Sequence, residues 1–155
     1  MKRRDCLALM GASSLLLAGC AGVPAATGTG DLGVVVARST GTLAIVNTSQ
    51  RTLLAEVKGL GDLSHASVVF SRDGRYAFVF GRDGALTKVD LLTHRIAGRV
   101  MQAGNSIGGA ISADGRLVVA QNYTPGGIKA FDTGKLELVA DNPAEFENGK
   151  HSRVV

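Results

Sequence analysis

The chain has 155 residues, a formal net charge of +4, and 45% hydrophobic and 19% charged residues. This is the composition of an ordinary globular protein, and it excludes a disordered tail or a collagen-like fibre. No apolar run reaches the roughly 18 residues that a membrane-spanning helix needs, which excludes an integral membrane protein. The 21 glycines are about twice the usual share of roughly 7%, so we expect the backbone to turn often.

The first 19 residues have the pattern of a bacterial lipoprotein signal peptide. Three basic residues at positions 2–4 precede the apolar run Leu7–Ala18, and Leu-Ala-Gly stands directly before Cys20. These four residues resemble a lipobox, in which the cysteine receives a diacylglycerol and begins the mature protein. The alternative is a plain secretory signal in which Cys20 is incidental. We expect a lipidated tether at 20–30 and a periplasmic protein anchored to a membrane by its lipid.

Removal of the signal peptide leaves no free thiol and little excess charge. Cys6 leaves with the signal and Cys20 carries the lipid, so we expect no disulfide, cysteine metal site or cysteine nucleophile. Three cations and one acidic residue are lost, which lowers the net charge to +2. With its basic residues scattered, the protein is not expected to bind nucleic acid. The sequence has no C-x-x-C-H, which excludes a covalently attached c-type haem in this chain.

Residues 31–155 are expected to form an all-β domain. Short runs rich in Val, Ile, Phe and Tyr alternate with turns of Gly, Asp, Ser and Asn, which is typical of strands. No segment keeps a helical period beyond two turns. The predicted strands are Leu32–Ala37, Leu43–Asn47, Thr52–Lys58, Ala66–Phe70, Arg75–Phe80, Leu86–Leu91 and Arg95–Met101, followed by 107–111, 116–121, 127–132 and 136–140.

A repeat of about 40–45 residues predicts a β-propeller. Ser-Arg-Asp-Gly-Arg at 71–75 recurs 41 residues later as Ser-Ala-Asp-Gly-Arg at 112–116, and the glycines at 41, 84 and 127 are spaced by 43 residues. We expect Asp73 and Asp114 to cap the backbone of these turns. The alternative is a Greek-key sandwich in which the Asp-Gly turns recur by coincidence.

The strand spacing predicts two blades of four strands, at 66–101 and 107–140. The three strands before them match the second, third and fourth strands of another blade, and its innermost strand is expected from the far end of a longer chain. A propeller has roughly four to eight blades. We therefore expect this chain to be the N-terminal part of a longer protein, holding the first two to three blades and, at 152–155, the start of another strand.

Propeller geometry places the candidate functional residues on one face. In each blade the turn between the second and third strands, and the connection to the next blade, emerge around the channel mouth. Two arginines on equivalent turns with a histidine between them suit an anionic ligand with a ligatable metal or an abstractable proton. Loop packing is the alternative role for the histidine and tyrosine, and a solvated turn for the arginines. The mouth residues are Arg38, His65, Arg82, Asp83, Asn105, Asn122 and Tyr123.

Several stretches of the sequence resemble the NirF family, proteins of haem d1 biosynthesis in denitrifying bacteria. They are Gly30–Val36, Gly61–Gly84, Leu86–Leu91, Gly104–Ser112 and Asn122–Gly127. That family is similar to the d1-haem domain of cytochrome cd-type nitrite reductases, an eight-bladed propeller. By this resemblance His65 falls where that domain has its axial iron ligand. Arg38 and Arg82 fall near arginines that hold the tetrapyrrole carboxylates.

The resemblance implies a protein of haem d1 biosynthesis that binds haem d1 or a late tetrapyrrole precursor over the propeller mouth. His65 is the expected iron ligand or catalytic residue, and Arg38, Arg82, Asn105 and Tyr123 are the expected binding residues. A late oxidative modification of the macrocycle is the expected reaction, since the missing haem c disfavours a reductase. Two alternatives stay open: a haem d1 carrier for nitrite reductase or another maturation protein, and a cofactor-free propeller that docks a protein partner.

Overall fold

The computed structural model describes residues 28–145 and Gly149. The predicted signal peptide, Cys20, most of the predicted tether and the predicted strand start at 152–155 lie outside the described residues. One turn of 3-10 helix, Thr29–Asp31, precedes eleven strands. In chain order the strands are β1 Leu32–Ala37, β2 Thr42–Asn47, β3 Thr52–Val57, β4 Ser67–Phe70, β5 Tyr76–Phe80, β6 Ala85–Asp90, β7 Arg95–Met101, β8 Asn105–Ile111, β9 Leu117–Thr124, β10 Ile128–Asp132 and β11 Leu138–Asn142.

The strands form three antiparallel sheets in which neighbours in sequence are neighbours in space. The first sheet holds β1–β3, the second β4–β7 and the third β8–β11. These are the three-stranded group and the two four-stranded blades that the repeat predicts, so the all-β propeller fold is confirmed. We call the sheets blades 1, 2 and 3.

The predicted bounds of β8 and β9 are too short at the mouth end. Strand β8 begins at Asn105 rather than 107, and β9 runs on to Thr124 rather than 121. The two strands stay paired through bulges, with Asn105 opposite Thr124, because bulges absorb the extra residues without ending the ladder. The turn after β9 therefore starts closer to the mouth than the hydrophobic pattern indicates.

The core lies between the blades because alternate residues of each strand face the neighbouring blade. Blades 1 and 2 bury a cluster consisting of Leu43, Ile45, Val57, Leu60, Leu63, Ala66, Ala77, Val79, Val89 and Leu91. Blades 2 and 3 bury a second cluster consisting of Phe78, Phe80, Leu86, Val118, Ala120, Phe131 and Leu136. Blade 2 contributes to both clusters, and its strand β6 is buried along its whole length.

Two glycines let blade 3 approach blade 2 closely. A methyl group at Gly108 would lie 3.0 Å from the Ser67 hydroxyl, and one at Gly109 would collide with the Phe80 ring and the Val119 carbonyl. Strand β8 therefore packs directly against β4 and β5, which places the inner strands of the two blades side by side.

The repeated Asp-Gly turns lie at the end of the blades opposite the mouth and carry the same hydrogen bonds. Asp73 accepts from the Ser71 hydroxyl and the Arg75 amide, at 2.5 and 3.1 Å. Asp114 accepts in the same way from the Ser112 hydroxyl and the Arg116 amide, at 2.6 and 3.0 Å. The prediction that both aspartates cap their turns is confirmed.

Candidate functional site

The loops at the mouth end of the blades are joined to one another by backbone contacts. The Arg82 amide donates to the Asp62 carbonyl at 2.8 Å, which links the turn after β5 to the connection between blades 1 and 2. The Gln102 amide donates to the Gly84 carbonyl and the Gly104 amide donates to the Thr124 carbonyl, both at 3.0 Å. These two bonds connect the turn after β5 to blade 3. The predicted grouping of these loops at one end is confirmed.

A pocket of about 280 Å³ lies at this mouth, and we call it the mouth pocket. Its walls come from the loop before β4, the turn after β5, the first residues of β8 and the end of β9. The lining residues are His65, Arg82, Asn105, Ile107 and Tyr123. Four of the five predicted site residues thus meet around one cavity, although they are spread over about sixty positions of the chain.

Ile107 lines the pocket but was not among the predicted site residues. The signal for it is the two-residue period of a strand, since Asn105 and Ile107 lie on the same face of β8. Its aliphatic side chain gives the pocket an apolar wall between polar groups.

Arg38 is the predicted site residue that does not line the mouth pocket. It lies exposed on the turn between β1 and β2. That turn contacts the connection between blades 1 and 2, because Gly41 sits so close to the Gly61 carbonyl that a Cβ at 41 would lie 2.5 Å from its oxygen. Arg38 is therefore at the same end of the protein as the pocket, one blade away from it.

The segment that carries His65 is fixed by its own side chains. We call residues 58–66, between β3 and β4, the His65 loop. Leu60 and Leu63 are 1% and 0% exposed and anchor the loop in the core of blades 1 and 2. The Ala66 amide donates to the Leu63 carbonyl at 3.1 Å, which closes a turn immediately around His65. The imidazole is thus presented from an exposed position on a loop with a buried base.

Charge at the mouth is mixed, with an acidic residue beside the two basic side chains. The Ser64 hydroxyl and amide, together with the charges of Arg82 and His65, hold the pKa of Asp62 below its usual range. The Arg82 guanidinium itself lies 3.5 Å from the Ser64 hydroxyl and is exposed. The guanidinium makes one long hydrogen bond to a neutral hydroxyl and is exposed, so it can pair with an anion although the Asp62 charge lies nearby.

A buried pair of amides lies beneath the mouth. The Gln102 side chain donates from Nε2 to Oδ1 of Asn122 at 2.8 Å, and the two residues are 7% and 0% exposed. Asn122 was placed at the mouth by the sequence, but its side chain faces the protein interior and does not line the pocket. Tyr123, the next residue of β9, does line it, as alternation along a strand requires.

The described part of the chain holds neither a membrane-spanning helix nor a cluster of metal-ligating side chains. No helix within 28–145 is long and apolar enough to cross a membrane. Across the same residues, no three His, Cys, Asp or Glu side chains come close enough together to hold a metal ion.

Comparison with known proteins agrees with the resemblance seen in the sequence. Residues 27–155 match the family described as Cytochrome D1 heme domain. The chain is 61% identical over 142 residues to Protein NirF from Stutzerimonas stutzeri and, equally, to Protein NirF from Pseudomonas aeruginosa. In both cases the match covers 90% of this chain but 36% of the relative, so the chain spans about a third of their length.

The fold is shared with solved structures. Dihydro-heme d1 dehydrogenase NirN in complex with DHE superposes with a TM-score of 0.73 at 32% identity, over 79% of this chain and 26% of that one. Hydrazine synthase from Kuenenia stuttgartiensis superposes with a TM-score of 0.67 at 17% identity, over 81% of this chain and 35% of that one. The second match shows likeness of fold alone.

Proposed function

The chain belongs to the cytochrome D1 heme domain family, and from this we propose that its mouth pocket binds haem d1 or a late tetrapyrrole precursor of it. The proposal places the protein in haem d1 biosynthesis, as the 61% identity to two NirF proteins indicates. Further support comes from the NirN structure, a relative at 32% identity that was solved in complex with DHE.

The observation that carries the proposal is the set of side chains around the mouth pocket. One imidazole, one guanidinium, one amide, one phenol ring and one aliphatic side chain line the same cavity. An iron tetrapyrrole offers a partner to each kind, since imidazole ligates iron, guanidinium pairs with carboxylates, and aromatic and aliphatic groups pack on the ring. The donor set therefore fits this class of ligand.

The size of the pocket says how much of the ligand these residues hold. Its volume of about 280 Å³ lies just below the roughly 300–1,000 Å³ that is usual for small-molecule sites. A whole macrocycle exceeds it, so we propose that His65, Arg82, Asn105, Ile107 and Tyr123 hold one part of the ring. The remainder extends across the mouth.

In this proposal each side chain has a separate task. His65 ligates the iron or orients the ring, and Arg82 neutralises a carboxylate at the ring edge. Asn105 hydrogen-bonds a polar substituent, while Tyr123 and Ile107 pack against the ring. Arg38 is placed to pair with a second carboxylate on the part of the ring that lies outside the pocket. The bound tetrapyrrole supplies the iron and the conjugated ring on which the modification occurs.

Binding is tested by titrating the full-length protein with haem d1, or with its dihydro-precursor, and following the absorbance spectrum. We expect a saturable band shift that weakens by about tenfold or more, and changes shape, in His65→Ala, because removal of an iron ligand alters both affinity and spectrum. The matched control is His94→Asn, which changes a histidine in the turn between β6 and β7 at the opposite end of blade 2. Absence of any shift in the wild-type protein would refute the proposal and favour a propeller that docks a protein partner.

We further propose that the protein acts in a late oxidative step on the macrocycle. Incubation of the full-length protein with a purified precursor and an electron acceptor tests this, since an enzyme converts the precursor in many turnovers. A protein that binds the precursor and returns it unchanged is instead a carrier, which then delivers haem d1 to nitrite reductase or another maturation protein.

For its location we propose the periplasm, with a lipid on Cys20 as the membrane anchor. The support is the signal-like pattern before Cys20. Globomycin, which blocks the signal peptidase for lipoproteins, should cause the unprocessed form of the tagged protein to accumulate. Processing that is insensitive to the drug would contradict the anchor.

A further inference from the structure

An ion pair in blade 2 lies against the backbone of the His65 loop. Arg99 of β7 and Asp83 of the turn after β5 meet with Nη2 2.7 Å from Oδ2, and their side chains are 32% and 27% exposed. The same Arg99 nitrogen donates to the Leu60 carbonyl of the loop at 3.3 Å. One guanidinium therefore joins two segments of the mouth that are distant in sequence.

The loop has the shape that this ion pair requires. Gly61 has a φ of +85°, and a Cβ at this position would collide with the Asp83 carboxylate and the Arg99 guanidinium. The loop backbone thus lies directly against the two charged groups. Asp83 is itself held in its turn, because its Oδ1 accepts from the Ala85 amide at 3.1 Å.

A backbone hydrogen bond next to the ion pair connects the same turn and loop at a residue that lines the pocket. Arg82 precedes Asp83, and its amide donates to the Asp62 carbonyl at 2.8 Å, one residue beyond Gly61. Movement of the Asp83 turn would therefore move both Arg82 and the loop segment that leads to His65. The backbone segments that carry His65 and Arg82 are both joined to this ion pair, although neither Asp83 nor Arg99 lines the pocket.

We propose that Asp83 and Arg99 are positioning residues, which fix the His65 loop and so set the position of His65 relative to Arg82. This inference rests on the proposed function, because the position matters for a ligand that contacts both side chains. A ligand that bridges two groups on separate loops loses affinity when either loop moves, since the cost of ordering the loop is then added to binding.

The first arm of the test needs no ligand. Hydrogen exchange of the His65 loop is measured by mass spectrometry in the wild-type protein and in Arg99→Met, which keeps the aliphatic stem and removes the charge. We expect faster exchange across residues 59–65 in the variant. The matched control is Arg75→Met, which breaks the Arg75–Asp90 ion pair of similar length, 2.8 Å, at the opposite end of blade 2 and should leave the loop unchanged.

The second arm is the tetrapyrrole titration with the same proteins. We expect Arg99→Met to bind about tenfold more weakly or worse, with a faster dissociation rate and an altered absorbance band. Arg99→Lys should restore part of the affinity, because it returns the charge without the planar fork. Asp83→Asn, which retains an acceptor for Ala85, serves as a second variant if Arg99→Met does not fold.

The two arms separate failure of this inference from failure of the proposed function. Unchanged loop exchange in Arg99→Met, or faster exchange with unchanged binding and spectrum, would overturn the positioning role. If the wild-type protein binds no tetrapyrrole, the proposed function fails, and with it the role in ligand placement. The exchange arm then decides whether the ion pair holds the loop at all.

Discussion

The buried amide pair beneath the mouth gives a prediction that needs no ligand. The Gln102–Asn122 hydrogen bond uses one atom of each amide, and the other two atoms, Gln102 Oε1 and Asn122 Nδ2, are buried with no hydrogen-bond partner among the described residues. Asn122→Leu removes the one acceptor and leaves the whole Gln102 amide unpaired. We expect the free energy of unfolding to fall by about 1–3 kcal/mol, the usual cost of leaving a buried polar group unsatisfied. Gln102→Met should cost a similar amount.

The double variant should behave differently from the sum of the single variants. Gln102→Met combined with Asn122→Leu removes every atom of the pair, including the two that have no partner, and keeps side chains of similar volume. Replacing both partners by apolar groups of the same shape is close to neutral, so we expect a stability within about 1 kcal/mol of the wild type. The coupling energy between the two sites, which is the sum of the two single losses less the loss in the double variant, is then on the order of 2–6 kcal/mol.

The assay is urea unfolding at equilibrium, with the midpoint and slope recorded for the wild type, both single variants and the double variant. A comparison of midpoints is valid when the four slopes agree, because the slope reports the surface exposed on unfolding. Losses that simply add in the double variant would refute the reasoning. They would mean that the two amides do not interact in the folded protein.

Two further predictions concern the interface between blades 2 and 3 and the turns at the end of the blades opposite the mouth. Gly109→Ala should lower the free energy of unfolding by at least about 1–3 kcal/mol, since its methyl group collides with Phe80 and Val119. Gly98→Ala, whose methyl group would lie 3.4 Å from Leu136, is the control in the same urea assay, and equal losses would contradict the argument. The Ser71 hydroxyl and the Arg75 amide lower the pKa of Asp73, and Ser112 and Arg116 lower that of Asp114. The stabilisation that these two carboxylates contribute is therefore complete above the unfolded pKa near 4 and is lost as pH falls through their lower folded pKa values. Melting temperatures measured from about pH 6 to pH 2 should fall less steeply in the double variant Asp73→Asn with Asp114→Asn than in the wild type.

The strands and the pocket residues were predictable from the sequence because each depends on a local or a periodic signal. The valine-rich run Leu32–Ala37 predicted β1 with its observed bounds, and the 43-residue spacing of the glycines predicted that the mouth turns occupy equivalent positions in successive blades. Once the turns are equivalent, propeller geometry brings His65, Arg82, Asn105 and Tyr123 to one end. The location of these four residues around one cavity was therefore predictable, whereas their roles in binding stay a prediction.

The contacts that hold the pocket together were not predictable in the same way. Arg99 lies in an ordinary strand pattern, and nothing in its local sequence says that it reaches Asp83 and the Leu60 carbonyl. Such a contact depends on the twist of β7 and the depth of the turn after β5, which are set by the packing of whole blades. The extension of β8 back to Asn105 was missed for a related reason, because bulges let a ladder continue where the hydrophobic alternation stops.

Packing between blades 2 and 3 therefore also determines the geometry of the mouth pocket. His65 is carried by the connection between blades 1 and 2 and Arg82 by a turn of blade 2, whereas Asn105, Ile107 and Tyr123 belong to blade 3. Their distances across the pocket are set by the cluster between these blades and by the glycines that let β8 approach β4 and β5. A substitution in that interface should weaken ligand binding without contacting the ligand, because it changes the separation of the groups that the ligand must bridge. For this reason Gly109→Ala should weaken tetrapyrrole binding as well as stability, whereas Gly98→Ala, on the outer strand of blade 2, should leave binding intact.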